Sequence, residues 1–186
     1  QTEYRQLLVA PVNLRRAILQ RIERETRLHQ ERGGGRLLFK MNALVDPEMI
    51  EALYRASQAG VKVDLLIRGI SCLRPGVAGL SENVRVVSVV GRHLEHARAY
   101  WFANAGASEL FLGSADLMQR NLDRRVETVF PILDRELRAR LENALELQLR
   151  DNAKARELLP DGSYRYAAGN GRVVDSQAEF MRAGDR

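Results

Sequence analysis

Residues 36–69 read RLLFKMNALVDPEMIEALYRASQAGVKVDLLIRG and carry the clearest secondary-structure signals in the chain. The segment begins with the apolar run Arg36 to Met41, which predicts a strand. Asp46 and Pro47 predict a helix start, an N-cap followed by proline at the first helical position, and the helix is expected to run to Gly60. The β-branched run Val61 to Ile67 predicts a second strand. A strand, a helix and a strand of these lengths indicate a βαβ unit with parallel strands.

The segments on either side extend this alternation and then depart from it. Residues 7–10 predict a short strand, and 12–30 predict a helix that ends at three consecutive glycines. After the βαβ unit, the loop-forming residues 73–82 precede a strand at 84–90, a β-hairpin at 99–112, a strand at 126–133 and a helix at 134–150. The sequence therefore predicts an α/β domain over residues 1–156, with a mixed, mostly parallel sheet flanked by helices. Residues 157–186 are a polar tail, and both a small hairpin and a flexible arm are compatible with them.

The composition is that of a globular protein with an unusual choice of cation. Hydrophobic residues make up 45% of the 186 residues and charged residues 28%, which excludes disordered and fibrous classes. The net charge is +5, and among the 29 basic residues only Lys40, Lys62 and Lys154 are lysines. Arginine binds phosphate with two parallel hydrogen bonds, so polyanionic ligands are one explanation of this excess. A GC-rich genome, which favours arginine codons, is the other.

Cysteine usage and hydropathy indicate where the protein acts. Cys72 is the single cysteine, so no intrachain disulfide can form. No apolar run reaches the roughly 20 residues that span a bilayer, and no signal-like apolar block stands at the N-terminus. We therefore expect a cytoplasmic protein, either free or associated with a membrane surface. Because the first residue is Gln1, we also expect that the chain was cut from a longer protein.

Functional groups are concentrated in residues 91–98, which read GRHLEHAR. Such a density of imidazole, carboxylate and guanidinium groups is difficult to explain by packing. In an extended segment alternate residues share a face, so His96 and Arg98 are expected to point the same way. A histidine beside a fixed arginine can attack or protonate a phosphate ester while the cation neutralises its oxygens. Glu95 is expected either to orient His96 or to pair with Arg92.

The residues that follow resemble a known half-site. Gly113-Ser114-Ala115-Asp116 comes after the predicted hairpin, which returns this turn to the neighbourhood of His96. A His-x-Lys/Arg pair followed by a hairpin and Gly-Ser is similar to the half-site of the phospholipase D superfamily, in which two halves face each other across a pseudo-dyad. Here Arg98 stands in place of the usual lysine and Ala103 in place of an acid. These departures argue against a generic lipase or nuclease.

Longer strings resemble one family over most of the chain. In chain order they include Lys40-Met41-Asn42, Leu66-Ile67-Arg68-Gly69, Glu95-His96-Ala97-Arg98 and Asn121-Leu122-Asp123-Arg124-Arg125. Together they look like the C-terminal catalytic domain of polyphosphate kinase. The resemblance implies a phospholipase D-like fold and a Mg²⁺-dependent enzyme that reversibly transfers the terminal phosphate of ATP to polyphosphate through a phosphohistidine. It also implies a homo-oligomer.

The same resemblance implies roles for residues of this chain. His96 matches a histidine placed across the phosphates as acid or base, and Arg68 matches an arginine that contacts ATP, so these two are the catalytic candidates. The phosphorylated histidine, the magnesium ligands and the adenine contact are implied to lie in preceding domains, and no metal ligand is expected here. Further ATP or phosphate contacts are expected from Lys40, Asn42, Arg98, Ser114 and Asn121. Polyphosphate or a neighbouring subunit is expected to contact a basic turn that contains Arg120, Arg124 and Arg125.

Two other functions are compatible with these residues. One is a phospholipase D-type phosphodiesterase or nuclease that completes its site as a homodimer, and the other is a module that binds a polyanion without catalysis. Arg98 in place of lysine, and the strings around Arg68 and Asn121, favour the kinase. The expected partners are ATP or ADP, polyphosphate and the remaining domains of the enzyme, and no nucleic acid is expected.

Overall fold

The protein, described by a computed structural model over residues 4–169 and 171–184, is built on a mixed β-sheet. In these residues the nine strands are β1 (Leu8–Ala10), β2 (Arg36–Met41), β3 (Lys62–Ile67), β4 (Val84–Val89), β5 (Arg98–Phe102), β6 (Glu109–Gly113), β7 (Glu127–Pro131), β8 (Ala155–Leu158) and β9 (Tyr164–Tyr166). The helices are α1 (Leu14–Arg32), α2 (Pro47–Gln58), α3 (Arg135–Leu149) and α4 (Ser176–Gly184). The strand order across the sheet is β1-β7-β6-β5-β2-β3-β4-β8-β9.

The sheet is mixed, as predicted, but the expectation that it is mostly parallel is wrong. Among the described strands only the pairs β2–β3 and β3–β4 are parallel, and every other neighbouring pair is antiparallel. Parallel neighbours need a crossover connection, and the chain makes such crossovers through α2 and through the loop at 68–83. After β4 the chain returns through hairpins and reversals instead, which place each new strand antiparallel to its neighbour.

Helices cover both faces of the sheet and create two apolar cores. On one face, Leu14, Ile18 and Ile22 of α1 are spaced by about one helical turn and pack, together with α2, against the sheet. The predicted N-cap of α2 is confirmed, because the Asp46 carboxylate accepts a hydrogen bond from Met49 N at 3.1 Å. On the other face, Leu149 and Leu145 of α3 pack against the sheet.

The described residues of the tail, 157–169 and 171–184, pack against the rest of the protein. Of the two alternatives for it, the structure has the hairpin: β8 pairs with β4 on one side and with β9 on the other. The predicted boundary at residue 156 therefore falls inside a strand of the main sheet. At the start of α4, the backbone N–H and the hydroxyl of Ser176 donate to Asp151 at 2.8 and 2.7 Å. No helix in the described residues is both long enough and apolar enough to cross a bilayer.

One edge of the sheet, which we call the site edge, collects the polar residues singled out above. The strands β2, β3, β4 and β6 end there, and β5, β7 and β8 begin there, because each of the latter runs antiparallel to its neighbours. Backbone hydrogen bonds join the loops at this edge: Leu44 N donates to Ile70 O at 2.9 Å and Asp46 N to Leu117 O at 3.0 Å. Residues that are distant in sequence are thus held at fixed positions beside one another.

Candidate functional site

His96 and Arg98 contact each other at the start of β5, as their spacing predicts. Arg98 Nη1 lies 3.0 Å from His96 Nδ1 and also donates to the His96 carbonyl oxygen at 3.0 Å. The same Nη1 lies 3.4 Å from His96 Nε2, so the guanidinium sits beside the ring and close to both of its nitrogens. His96 is exposed. Its ring can therefore reach a ligand at the site edge.

A buried carboxylate, Asp116, holds Arg98 in place. Arg98 Nε and Nη2 donate to its two oxygens at 3.2 and 3.1 Å, which makes a bidentate pair. The backbone N–H of Asn42 donates to the same carboxylate at 2.7 Å. Asp116 was given no role from the sequence, although it completes the Gly113 to Asp116 string that carries the resemblance. Its position in that string was the available signal.

Arg68 joins the same network from the end of β3. Its Nε and Nη2 donate to the side-chain carbonyl of Asn42 at 3.0 and 2.8 Å. The amide nitrogen of Asn42 lies 3.3 Å from Asp116 Oδ1 and donates to it. A continuous series of contacts, which we call the polar chain, therefore connects Arg68, Asn42, Asp116, Arg98 and His96. The structure brings the two catalytic candidates into one network even though 28 positions separate them in the sequence.

Ser114 and Asn121 lie next to the polar chain and both hydrogen-bond to Glu127. Asn121 is buried; its carbonyl oxygen accepts from Asp116 N at 3.2 Å, and its amide donates to Glu127 at 3.1 Å. The exposed Ser114 hydroxyl donates to the other oxygen of Glu127. Both residues are thus engaged within the protein, and their predicted phosphate contacts stay predictions. Glu127 was not predicted from the sequence, because no motif distinguishes it from any other carboxylate at a strand start.

Lys40 forms a buried ion pair with Glu95 instead of standing free. Its ammonium lies 2.8 Å from the carboxylate, and the side chains are 8% and 13% exposed. The side chains that donate to Glu95 are those of Lys40, Gln148 and Gln177. Both predicted partners of Glu95, His96 and Arg92, are therefore wrong. Burial disfavours the charged form of Glu95, but the hydrogen bonds from Lys40 and Gln177 outweigh it and lower the pKa. The predicted contact of Lys40 with phosphate stays a prediction.

The predicted basic turn is a π-helical turn over residues 120–124. Asn121 and Leu122 are buried and anchor it, while the cationic residues Arg120, Arg124 and Arg125 are exposed. Asp123 in this turn pairs with Arg15 of α1 at 2.6 Å. The hydrogen bond from Arg15 lowers the pKa of Asp123, which therefore stays ionised. The three arginines are therefore exposed to solvent on a turn whose position is fixed by its buried residues and by the Asp123–Arg15 pair.

Two cavities flank the polar chain. A cavity of about 710 Å³ is lined by residues that include His96, Arg98, Ser114 and Phe130, and a second of about 440 Å³ is lined by Arg68 together with residues of the tail. An exposed imidazole beside a fixed guanidinium can hold phosphate oxygens and exchange a proton with them. No group of three or more His, Cys, Asp or Glu side chains within residues 4–169 and 171–184 is placed to hold a metal ion.

The arrangement of the sheet and its helices is that of a phospholipase D-like fold. Nuc of Salmonella typhimurium, a phospholipase D family member, superimposes with a TM-score of 0.60 at 14% sequence identity, over 83% of this chain and 97% of its own. At this identity the likeness concerns the fold alone. The sequence defines the family more closely: the model of the family described as "Polyphosphate kinase C-terminal domain 2" matches residues 7–177. The chain belongs to this family.

Individual relatives agree with this assignment. Polyphosphate kinase 1 of Chlorobaculum tepidum is 56% identical over 181 residues, which are 97% of this chain and 26% of the relative. The crystal structure of polyphosphate kinase from Porphyromonas gingivalis superimposes with a TM-score of 0.95 at 42% identity and covers 100% of this chain and 28% of that one. The resemblance drawn from the sequence is thus confirmed. The chain spans about a quarter of the length of the curated relatives it matches.

Proposed function

We propose that this chain supplies His96 and Arg68 to phosphate transfer between ATP and polyphosphate within a longer polyphosphate kinase. The observation that carries the proposal is the polar chain, which fixes an exposed imidazole and a guanidinium at one edge of the sheet. Phosphoryl transfer depends on positioning and on stabilising charge on the transferred group, with little covalent work for the protein. A network that fixes a cation and a proton carrier meets both requirements.

Each residue has a defined part in this proposal. Arg68 uses Nε and Nη2 to bind Asn42, which leaves further N–H donors of its guanidinium for the oxygens of the transferring phosphate. As the imidazolium, His96 can give a proton to a departing phosphate oxygen and become the neutral ring, and in the reverse direction the neutral ring takes a proton back. Arg98, whose Nη1 lies 3.0 Å from Nδ1, positions the ring. Asp116 fixes Arg98 in turn.

The remaining requirements of the reaction are assigned to other parts of the enzyme. Two carboxylates at the site edge are already engaged by cations of the protein, Asp116 by Arg98 and Glu95 by Lys40. We propose that phosphate oxygens and preceding domains provide the ligands of Mg²⁺. The phosphorylated histidine is assigned to those domains as well. The proposed partners are ATP or ADP, polyphosphate, the preceding domains and further copies of the enzyme in the cytoplasm.

The purified chain can be used to test whether it binds polyphosphate but needs the other domains for synthesis. We expect the purified chain to bind tripolyphosphate, with an affinity that falls as salt screens the cations, and to form no polyphosphate from ATP. Binding is measured by calorimetry at two salt concentrations, and synthesis by the conversion of labelled ATP into acid-stable polymer. Robust synthesis by the chain alone would contradict the proposal, because the residues assigned to other domains would then be unnecessary.

One observation favours a second candidate function, a phosphodiesterase. The phospholipase D-like fold and the exposed His96–Arg98 pair would suit a homodimer whose two halves cleave a phosphodiester. Hydrolysis of bis(p-nitrophenyl) phosphate by the purified chain, abolished by His96→Ala, would support it. We expect no hydrolysis.

A further inference from the structure

The cavity beside Arg68 is a cleft between the site edge and the β8–β9 hairpin. It encloses about 440 Å³ and is lined by Arg68, Ser88, Lys154, Arg156, Tyr164 and Tyr166, among others. The strand registers place Ser88 opposite Arg156 and Arg156 opposite Tyr166. Because alternate residues of a strand share a face, Arg156, Tyr164 and Tyr166 project toward the same side of the hairpin. We call this cavity the tail cleft.

The tail cleft is cationic and has no internal counter-charge. Within the described residues Arg68, Lys154 and Arg156 form no ion pair, and no carboxylate lines the cleft. The acidic residue of the hairpin, Glu157, lies on the opposite face, where it pairs with Arg85 at 2.6 Å and with Arg165 at 3.1 Å. A concave surface lined by positive charges raises the local concentration of anions. The cleft is therefore suited to a ligand with several negative charges.

Tyr166 of the tail cleft presents its hydroxyl more than an open ring face. The guanidinium carbon of Arg156 lies 5.0 Å from the centroid of the Tyr166 ring, and its Nη2 donates to the Tyr166 hydroxyl at 3.3 Å. The arginine thus covers a face on which a nucleobase could stack. What the ligand meets is a series of N–H and O–H groups, which suits consecutive phosphates better than a nucleoside.

We infer that the tail cleft binds a segment of the polyphosphate chain a few phosphates away from the group being transferred. Arg68 belongs both to the cleft and to the polar chain, so it links the segment to the transfer site. Lys154 and Arg156 then contact phosphates that a short substrate does not supply, and they favour long chains over short ones. This inference rests on the proposed function and adds to it a determinant of chain length.

The test compares two charge-removing variants of the purified chain. Lys154→Gln/Arg156→Gln alters the tail cleft, and the control Arg135→Gln/Arg140→Gln removes the same charge from exposed positions on α3. Calorimetry measures the affinity of each for tripolyphosphate and for long-chain polyphosphate. We expect the cleft variant to lose about tenfold in affinity for the long chain, since exposed charge contacts each contribute a small factor. Its affinity for tripolyphosphate, and both affinities of the control, should change less than about twofold.

The outcomes separate this inference from the proposed function. If the wild-type chain binds both ligands and the cleft variant behaves like the wild type, the inference is overturned and the proposed function stands. An equal loss in the control variant, or an equal loss for both ligands, also overturns it, because the effect is then general electrostatics. If the wild-type chain binds neither ligand, the proposed function fails and the inference fails with it.

Discussion

At the scale of single residues, carboxylates decide where the cations of the site edge point. Arg98 is held by Asp116 and Lys40 by Glu95, at 3.1 and 2.8 Å. A buried cation is stable only when it is paired, and each pair also fixes the direction of the long basic side chain. Arg68 differs, because its partner is the neutral amide of Asn42, so its charge stays available to an anionic ligand.

Asp116 is the residue on which this arrangement depends most. Asp116→Asn keeps the shape but leaves Arg98, whose side chain is 15% exposed, without its counter-ion. We expect the free energy of unfolding to fall by about 3 kcal/mol, the scale for breaking a buried pair. Urea unfolding of the purified chain measures this loss.

A matched control for Asp116 breaks an exposed pair. Glu179→Gln removes the partner of Arg182, whose side chain is 71% exposed, and should cost less than about 1 kcal/mol. If the two substitutions lower the free energy of unfolding by the same amount, the pair between Asp116 and Arg98 does not stabilise the fold as proposed.

At the scale of elements, the loop that carries His96 is fastened to the C-terminal helix. Gln177 of α4 donates to the His93 carbonyl at 2.8 Å and to Glu95 at 2.9 Å, and it accepts from His93 N at 3.0 Å. Residues 91–94 and 96–97 are exposed, and only Glu95 among residues 91–97 is partly buried. The position of His96 therefore depends on a helix more than 75 residues downstream.

Gln177→Ala tests this attachment. It leaves the His93 backbone and one Glu95 oxygen without partners, so we expect unfolding to become easier by about 1–3 kcal/mol. Hydrogen exchange of the amides at 91–97 should accelerate at the same time. Gln58→Ala, which removes a single exposed bond to the Gly79 carbonyl at 3.0 Å, serves as control and should change neither quantity noticeably. Unchanged exchange of the loop in the Gln177 variant would show that α4 does not hold it.

Most of the helices and strands were predictable, while their directions and several contacts were not. The hydrophobic period, the Asp46–Pro47 start and the turn residues are local signals, and the predicted bounds agree closely with those observed. The antiparallel majority of the sheet was missed because strand direction after residue 90 depends on which neighbour each strand finds. For the same reason the partners of Glu95, which lie 53 or more positions away in sequence, carried no local signal. His96 and Arg98 were predicted because their contact follows from a spacing of two.

At the scale of the whole molecule, paired carboxylates connect the site edge and the tail to the sheet. The stability of the protein therefore depends on pH. Burial opposes the ionisation of Glu95, Asp151 and Glu157, but hydrogen bonds outweigh it and lower the pKa of each. The donors include Lys40 for Glu95, the backbone N–H of Lys154 for Asp151 and the guanidinium of Arg85 for Glu157.

A lowered pKa means that the folded state binds protons less readily than the unfolded state. The stability that these groups contribute is therefore present above their ordinary values of 4.5 for Glu and 3.8 for Asp, and it is lost as the pH falls through the folded values. We expect the melting temperature to fall steeply once the pH drops below about 4.5, the ordinary value for Glu. Thermal denaturation in a buffer series checks this, and Glu95→Gln should flatten part of the fall. A melting temperature that rises on acidification would contradict the account.

The central claim is that His96 and Arg68 act in phosphate transfer and do not merely support the fold. The most direct test measures kcat for polyphosphate synthesis and the melting temperature on the same preparations of the full-length enzyme, with His96→Ala, Arg68→Ala and Arg68→Lys. The account predicts a fall in kcat on the order of 10²-fold or more for both alanine variants, with a melting temperature close to that of the wild type. Arg68→Lys should recover only part of the activity, because an ammonium does not reproduce the guanidinium fork. Stable variants with near-normal synthesis would contradict the claim.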